Sequence, residues 1–299
     1  VQLPQALVDS VTHVLGDPGR AWLDALPSLL AACEREYGLT VGPPFELSYN
    51  YVAPATLADG TDAVLKLSPF SRDFRRELAT IQHYDGHGMV RLLDSDEARG
   101  VALLERLQPG TMLAQLDDDD SQTEIAASIM LQLRRPSPPD RGLLTTRDWL
   151  GAFERHRTEH GGAGPLPGDL FERGEAVFDE LLQSSAPAVL LHGDLHHYNI
   201  LSAQRAPWLA IDPHGVIGEP AFEVGAFFGN PLDLASRPGL PRILERRGRI
   251  FSERLGFDYH RIIAWAFAYR MLSAVWSAEN GGTGWADSVA IARVLDGMR

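Results

Sequence analysis

The sequence predicts an α+β fold in two parts, a small antiparallel sheet carrying one helix and then a mostly helical remainder. Through the first third, short apolar runs alternate with a period of two, as half-buried strands require. After Gln108-Pro109-Gly110 the apolar residues recur at three- and four-residue spacing, as amphipathic helices require. With 299 residues, 44% hydrophobic and 22% charged, the chain can bury a sizeable core without a disulfide or metal staple.

The opening is helical: Leu7, Val11, Val14 and Leu15, then Trp22, Leu26, Leu29 and Leu30, keep that spacing until Gly38 ends it. Beyond Gly42-Pro43-Pro44 the period changes, and Phe45, Leu47, Tyr49 and Tyr51 alternate as a strand would. Asp59-Gly60-Thr61-Asp62 is a hairpin signal, followed by the strand Ala63-Val64-Leu65-Lys66-Leu67. Residues 73–84 predict a helix, and the apolar runs 89–93 and 101–105 predict strands. These elements make up a first part, residues 1–107.

In the second part, residues 108–299, helices are expected over 123–133, 148–160, 168–184, 240–255 and 259–278. The strand-like islands are 188–191, Ile200-Leu201 and 208–211. Pro136-Ser137-Pro138-Pro139 reads as a local loop. The acidic run 117–120, beside a helix start, reads as solvated charge favoured by the helix dipole rather than as a cation site.

A net charge of −13 and a pI near 5.2 repel nucleic acid and suit a basic small molecule. Cys33 is the only cysteine, so no internal disulfide forms, which fits a reducing compartment. Residues 1–10 show no secretory leader pattern, and the best apolar run, 262–275, is interrupted by Arg270. The expectation is a cytoplasmic protein without a membrane or nucleic-acid partner, a monomer or weak dimer.

The residues that carry chemistry gather in Leu190-Leu191-His192-Gly193-Asp194-Leu195-His196-His197-Tyr198-Asn199. Phosphoryl transfer needs a carboxylate to orient a hydroxyl and accept its proton, together with oxygen ligands for magnesium. Asp194 suits the first task. Asn199, five residues on, suits the second, and Asp212, just past the apolar run Trp208-Leu209-Ala210-Ile211, supplies a further acid.

This order matches the kinase pattern H-x-D-x-x-x-x-N followed by a strand-borne Asp, with Gly193 in place of the usual arginine and no Phe after Asp212. The pattern also calls for a strand lysine paired with a helix glutamate. Lys66 is the only lysine in the chain, beside 26 arginines, and sits in an apolar strand. Glu77, in the helical 73–84 segment, is its natural partner; otherwise the two are a strand-edge residue and a solvated helix acid. The phosphate-covering loop would be Ser48-Tyr49-Asn50-Tyr51-Val52 with its return through Gly60, which lacks the glycine-rich pattern. Glu105 and Leu107, in Leu104-Glu105-Arg106-Leu107, stand where a kinase offers backbone groups to adenine.

His192 to Asn199, Trp208 to Pro213 and the run Gly215-Val216-Ile217-Gly218-Glu219-Pro220-Ala221-Phe222-Glu223-Val224-Gly225-Ala226 resemble the aminoglycoside phosphotransferase family. More narrowly, they resemble its streptomycin 6-kinase, or aminoglycoside/hydroxyurea resistance kinase, branch. The resemblance implies a protein-kinase-like two-lobe fold, with a small antiparallel β-sheet N-lobe and a mostly helical C-lobe. It implies ATP and Mg2+, and phosphorylation of a hydroxyl on a cationic aminocyclitol. It makes Asp194 the base, Asn199 and Asp212 metal ligands, and Lys66 a phosphate contact. His192 is then structural support, and Glu223 braces the loop through backbone hydrogen bonds.

Three other readings stay open. His192, Asp194, His196 and His197 could hold zinc in a hydrolase, although the spacing is not that of a zinc helix and Lys66, Asn199 and Asp212 are left unexplained. The chain could bind nucleotide without catalysis, or phosphorylate a different hydroxylated metabolite. Trp265, Tyr269, Trp276 and Glu279 lie along one side of a helix, where aromatic residues favour the core over a substrate site.

Overall fold

The structure is a computed structural model describing residues 3–45, 49–69, 72–136, 142–279 and 281–299. It divides into two units, Val1–Gly86 with Val90–Gln108, and His87–Met89 with Pro109–Arg299.

The first unit opens with helix α1 (Gln5–Tyr37), which turns out of helical geometry at Gly16, two residues before Pro18. Proline at 18 suits the start of the continuing segment, because its missing N–H needs no partner there. Leu7, Val11, Leu23, Leu26, Leu30 and Cys33 join Tyr51, Ala53, Leu65, Leu67 and Leu103 in one core. The strands are β1 (Leu39–Val41), β2 (Tyr51–Leu57) and β3 (Asp62–Leu67), then, after helix α2 (Arg72–Tyr84), β4 (Leu92–Asp96) and β5 (Val101–Glu105). They form an antiparallel sheet of order β1-β2-β3-β5-β4, in which Lys66 stands opposite Val52 and Ala102.

Two expected strands are displaced. Phe45 and Tyr49 are exposed, and residues 46–48, including Leu47 and Ser48, lie outside the described residues. The strand instead begins at Tyr51, and its buried face is carried by Tyr51, Ala53 and Ala55, two of them too small to dominate a periodicity count. The run at 89–93 gives only its end to β4. Met89 forms a bridge with Ala210 and belongs to the second unit.

The second unit begins with β6 (Pro109–Met112), α3 (Asp119–Leu133), β7 (Arg135–Pro136), β8 (Leu144–Thr145), α4 (Thr146–His160) and α5 (Gly168–Gln183). The expected loop at Pro136 has its remaining residues, 137–139, outside the described residues. Then come β9 (Val189–Leu191), β10 (Ile200–Ala203), β11 (Trp208–Ala210) and β12 (Val216–Gly218), a 3-10 run (Pro220–Gly229), α6 (Leu240–Leu255), α7 (Tyr259–Glu279) and α8 (Trp285–Asp296).

Helix α7 is the centre of this unit. Its apolar residues are spread around the helix, most residues from Ile262 to Ala278 are buried, and it packs on α5, α8 and the 3-10 run. The strands frame the chemistry. β9 pairs with β12, β10 pairs with β11, and the segment 192–199 is strung between β9 and β10. Asp212 follows β11 by two residues.

The acidic run departs from its expectation. Asp118 does cap α3, accepting the N–H of Ser121. Asp119, however, is the counter-ion of the wholly buried Arg247, and Asp120 pairs with Arg246. A guanidinium removed from water needs an anion, and that need decides where Asp119 goes.

Candidate active site

His192 is wholly buried. Its Nε2 donates to the carbonyl of Ile211 at 2.8 Å, and its Nδ1 accepts the N–H of Asp194 at 3.2 Å. Those two bonds need a neutral ring protonated at Nε2. Burial enforces that state, lowering the pKa to about 4 against the attraction of Asp194. The His192 carbonyl accepts the N–H groups of His214 and Gly215, so the ring and its backbone tie the loop to the segment that bears Asp212.

Glu223 braces the same loop from the 3-10 run. Its carboxyl oxygens take the N–H of His192 at 2.7 Å and that of Gly193 at 2.9 Å. Burial pushes the carboxyl up to about 7, although both donors favour its ionised form. Gly193 turns with φ +85°, and a Cβ there would stand 3.0 Å from both Trp149 and Val216. Its carbonyl accepts the hydroxyl of buried Tyr269 at 2.9 Å.

These contacts present Asp194. Burial alone would raise its carboxyl, but the pull of His196, a hydrogen bond with that ring, and the nearby His214 and His192 hold it down at about 2. His196 lies 3.4 Å and His214 3.9 Å from the carboxylate. An ionised, oriented acceptor results. Asn199 donates from Nδ2 to the Asp194 carbonyl at 3.0 Å, which leaves its amide oxygen for another partner. Ile211 donates its N–H to the Asn199 carbonyl at 2.9 Å, and Asp212 follows in the left-handed region at φ 59°. A non-glycine residue in that region is strained and usually held there for a reason.

Asn199 and Asp212 together offer the oxygen donors that suit magnesium, which keeps waters and takes phosphate oxygens rather than an all-protein cage. Among the described residues, no three His, Cys, Asp or Glu side chains are arranged to hold a metal by themselves, so the histidines do not form a closed zinc centre.

In the first unit, Lys66 Nζ on β3 lies 2.6 Å from Glu77 Oε1 on α2, and both residues are buried. Glu105 ends β5, pairing its backbone N–H with the Arg91 carbonyl at 2.9 Å, and Leu107 beyond it is buried. Tyr49 and Asn50 form a bend before β2.

The sequence reading passed over some supports of the loop. His197 is wholly buried and stacks on Phe227 at 3.9 Å, with Arg247 Nη2 at 3.4 Å from its Nε2. Arg247 could have been found, because it shares the apolar side of its helix with Leu244, Gly248 and Phe251. The Tyr269 contact carries no such signal. Trp265 is core, its Nε1 donating to Glu219 at 3.1 Å.

The sequence matches the family model for aminoglycoside/hydroxyurea antibiotic resistance kinase over residues 42–281. It is 33% identical over 285 residues to streptomycin 6-kinase of Streptomyces glaucescens, covering 94% of this chain and 92% of that one. It is 32% identical over 313 residues to hydroxyurea phosphotransferase of Kitasatospora aureofaciens, covering 99% and 86%. In structure it resembles a choline/ethanolamine kinase family protein from Mesorhizobium loti, with a TM-score of 0.68 and 13% identity, covering 92% and 94%. That likeness establishes the α+β two-lobe fold. With motif order, fold and sequence relatives agreeing, the chain belongs to the aminoglycoside/hydroxyurea antibiotic resistance kinase family, ATP-dependent phosphotransferases that act on a small molecule.

Proposed function

We propose that this kinase phosphorylates a hydroxyl of streptomycin or a closely related cationic aminocyclitol, inactivating the antibiotic. The choice of acceptor is carried by one observation, the 33% identity to streptomycin 6-kinase across nearly the whole of both chains. The net charge of −13 supports a cationic acceptor.

In this reading Asp194 orients the acceptor hydroxyl and takes its proton. The bond from that oxygen to the γ-phosphorus forms as the bond to the leaving ADP breaks. Lys66, held by Glu77, contacts the α- and β-phosphates, and backbone groups at Glu105 and Leu107 meet adenine. Asn199 and Asp212 would hold Mg2+, which when bound would neutralise phosphate charge. His192 and Glu223 keep the loop in place and touch no substrate.

The working place is the cytoplasm, where ATP is found, and buried Cys33 suits a reducing compartment. No helix among the described residues is long and apolar enough to cross a membrane. The chain works as a monomer or weak dimer.

An ATP-consumption screen over streptomycin, other aminoglycosides, hydroxyurea and common hydroxylated metabolites tests the acceptor. Streptomycin is expected to give the highest kcat/KM; no acceleration by any aminocyclitol rejects it. The 32% identity to hydroxyurea phosphotransferase makes hydroxyurea the second candidate. Asp194→Asn is expected to lower kcat by about 10³-fold or more with ATP affinity nearly unchanged. Turnover near the wild-type rate would remove Asp194 from the role.

A further inference from the structure

Arg270, in the middle of α7, is only 5% exposed, yet among the described residues no carboxylate pairs with it. Its Nε is sealed from solvent and has no hydrogen-bond partner. Arg247, also buried in this unit, is treated differently. Arg247 has Asp119 and two backbone carbonyls around it. A desolvated guanidinium with no carboxylate in ion-pair contact is unfavourable, so a group left in that state points to a partner that comes and goes.

Its surroundings say where that partner arrives. The guanidinium lies 5.1 Å from the Tyr269 ring, whose hydroxyl binds Gly193, and it interacts electrostatically with Asp194. Gly229 makes the room: a Cβ there would stand 1.5 Å from Nη1 and 2.2 Å from Cζ. The fold thus reserves a space for a fixed cation near the loop carboxylate.

We infer that Arg270 binds oxygens of the transferred phosphoryl group on the acceptor side, holding the phosphate ester as it forms. The inference rests on Asp194 as the base. As the hydroxyl proton passes to Asp194 and the new O–P bond replaces the bond to ADP, a phosphate monoester comes to lie beside that carboxylate. Those oxygens arrive with the γ-phosphate of ATP and depart with the product ester, so the site is filled only during turnover, which is what a guanidinium without a resident ion-pair partner requires. The planar fork of arginine matches phosphate geometry where a lysine would offer only a point charge.

Inorganic phosphate is the probe, titrated into nucleotide-free protein and followed by 31P line broadening. The Lys66→Met background removes the phosphate contact on the donor side. Saturable binding is expected there; adding Arg270→Met abolishes it, and adding Arg270→Lys weakens it about tenfold. Adding Asp194→Asn instead tightens it, because a fixed neighbouring anion is gone. In turnover, Arg270→Met alone lowers kcat about 100-fold with the KM for ATP within about twofold. Its Tm stays level or rises, since an unpaired charge gives way to an apolar chain of similar length. A purely structural arginine would show the reverse, a lower Tm with kcat retained.

The inference is overturned if the Lys66→Met chain binds no phosphate, if Arg270→Met leaves that binding intact, or if its kcat stays within about threefold of wild type. Full activity of Asp194→Asn would overturn the base assignment instead, and the phosphate titration would still decide whether Arg270 is an oxyanion site.

Discussion

Asp119, in the first turn of α3, accepts a hydrogen bond at 3.0 Å from Nε of Arg247, a residue of α6 that is wholly buried. The same guanidinium donates to the carbonyls of Phe227 at 2.9 Å and Asn230 at 2.7 Å, and stands beside His197 of the loop 192–199. One cation therefore joins a helix start, the end of the 3-10 run and the loop that bears Asp194.

Breaking that junction leaves a charge stranded in the interior. Asp119→Ala is expected to destabilise the chain by about 2–4 kcal/mol, somewhat below the value for a fully buried pair because Asp119 itself is partly exposed. Asp120→Ala, which removes the more exposed pair with Arg246, should cost far less, because solvent screens that pair. Urea unfolding of the two variants compares them directly. Equal effects would mean that Arg247 does not depend on Asp119.

Glu223 gives the pH dependence. Neither Asp194, near 2, nor His192, near 4, titrates close to neutrality, whereas burial places the Glu223 carboxyl at about 7. As pH falls through 7 a protonated Glu223 loses accepting power toward the N–H groups of His192 and Gly193, so kcat/KM should develop an acid limb there. Stability runs the other way. A carboxyl raised from 4.5 to about 7 by folding contributes stability below the lower value and loses it as pH rises through the upper one, by about 3 kcal/mol at most. Glu223→Gln should therefore flatten both profiles between pH 5 and 8. A wild-type acid limb that persists in Glu223→Gln would assign it to another group.

What the sequence made legible, and what it hid, follows from the range of the interactions. The order His192, Asp194, Asn199, Asp212 is readable because the chemistry demands particular residue types at short spacing on one stretch of chain. The Lys66–Glu77 pair is readable because a lone lysine in an apolar strand asks for a helix acid, and the two meet at 2.6 Å. Asp119 with Arg247, and Tyr269 with Gly193, are long-range pairs set by packing, and no local pattern announces them. The strand at Tyr51 was displaced because alanines fill its inner face while the larger Phe45 and Tyr49 remain outside.

Gly193 tests how tightly the loop is held. With φ at +85° and side chains of Trp149 and Val216 at contact distance, Gly193→Ala combines backbone strain with overpacking. A loss of about 2–4 kcal/mol is expected, with kcat falling together with stability. Tyr269→Phe removes only the hydroxyl that binds the Gly193 carbonyl and should cost about 1–2 kcal/mol. Calorimetry and turnover on the two variants check the order. An alanine tolerated at 193 would show that the loop backbone relaxes.

Lys66 and Glu77 separate stability from chemistry within the first unit. Lys66→Met takes the cation from a carboxylate that is itself only 7% exposed, so it should lower the unfolding free energy by about 2–3 kcal/mol as well as raise the KM for ATP at least tenfold. In Lys66→Met with Glu77→Gln, no charge is left to strand, and most of the stability should return. Activity should not return, because in the proposed mechanism the lysine alone contacts phosphate and the glutamate acts through it. Unfolding curves and ATP kinetics on the two single variants and the double variant form the cycle. Recovery of kcat/KM in the double variant would show that the pair serves only to hold β3 against α2.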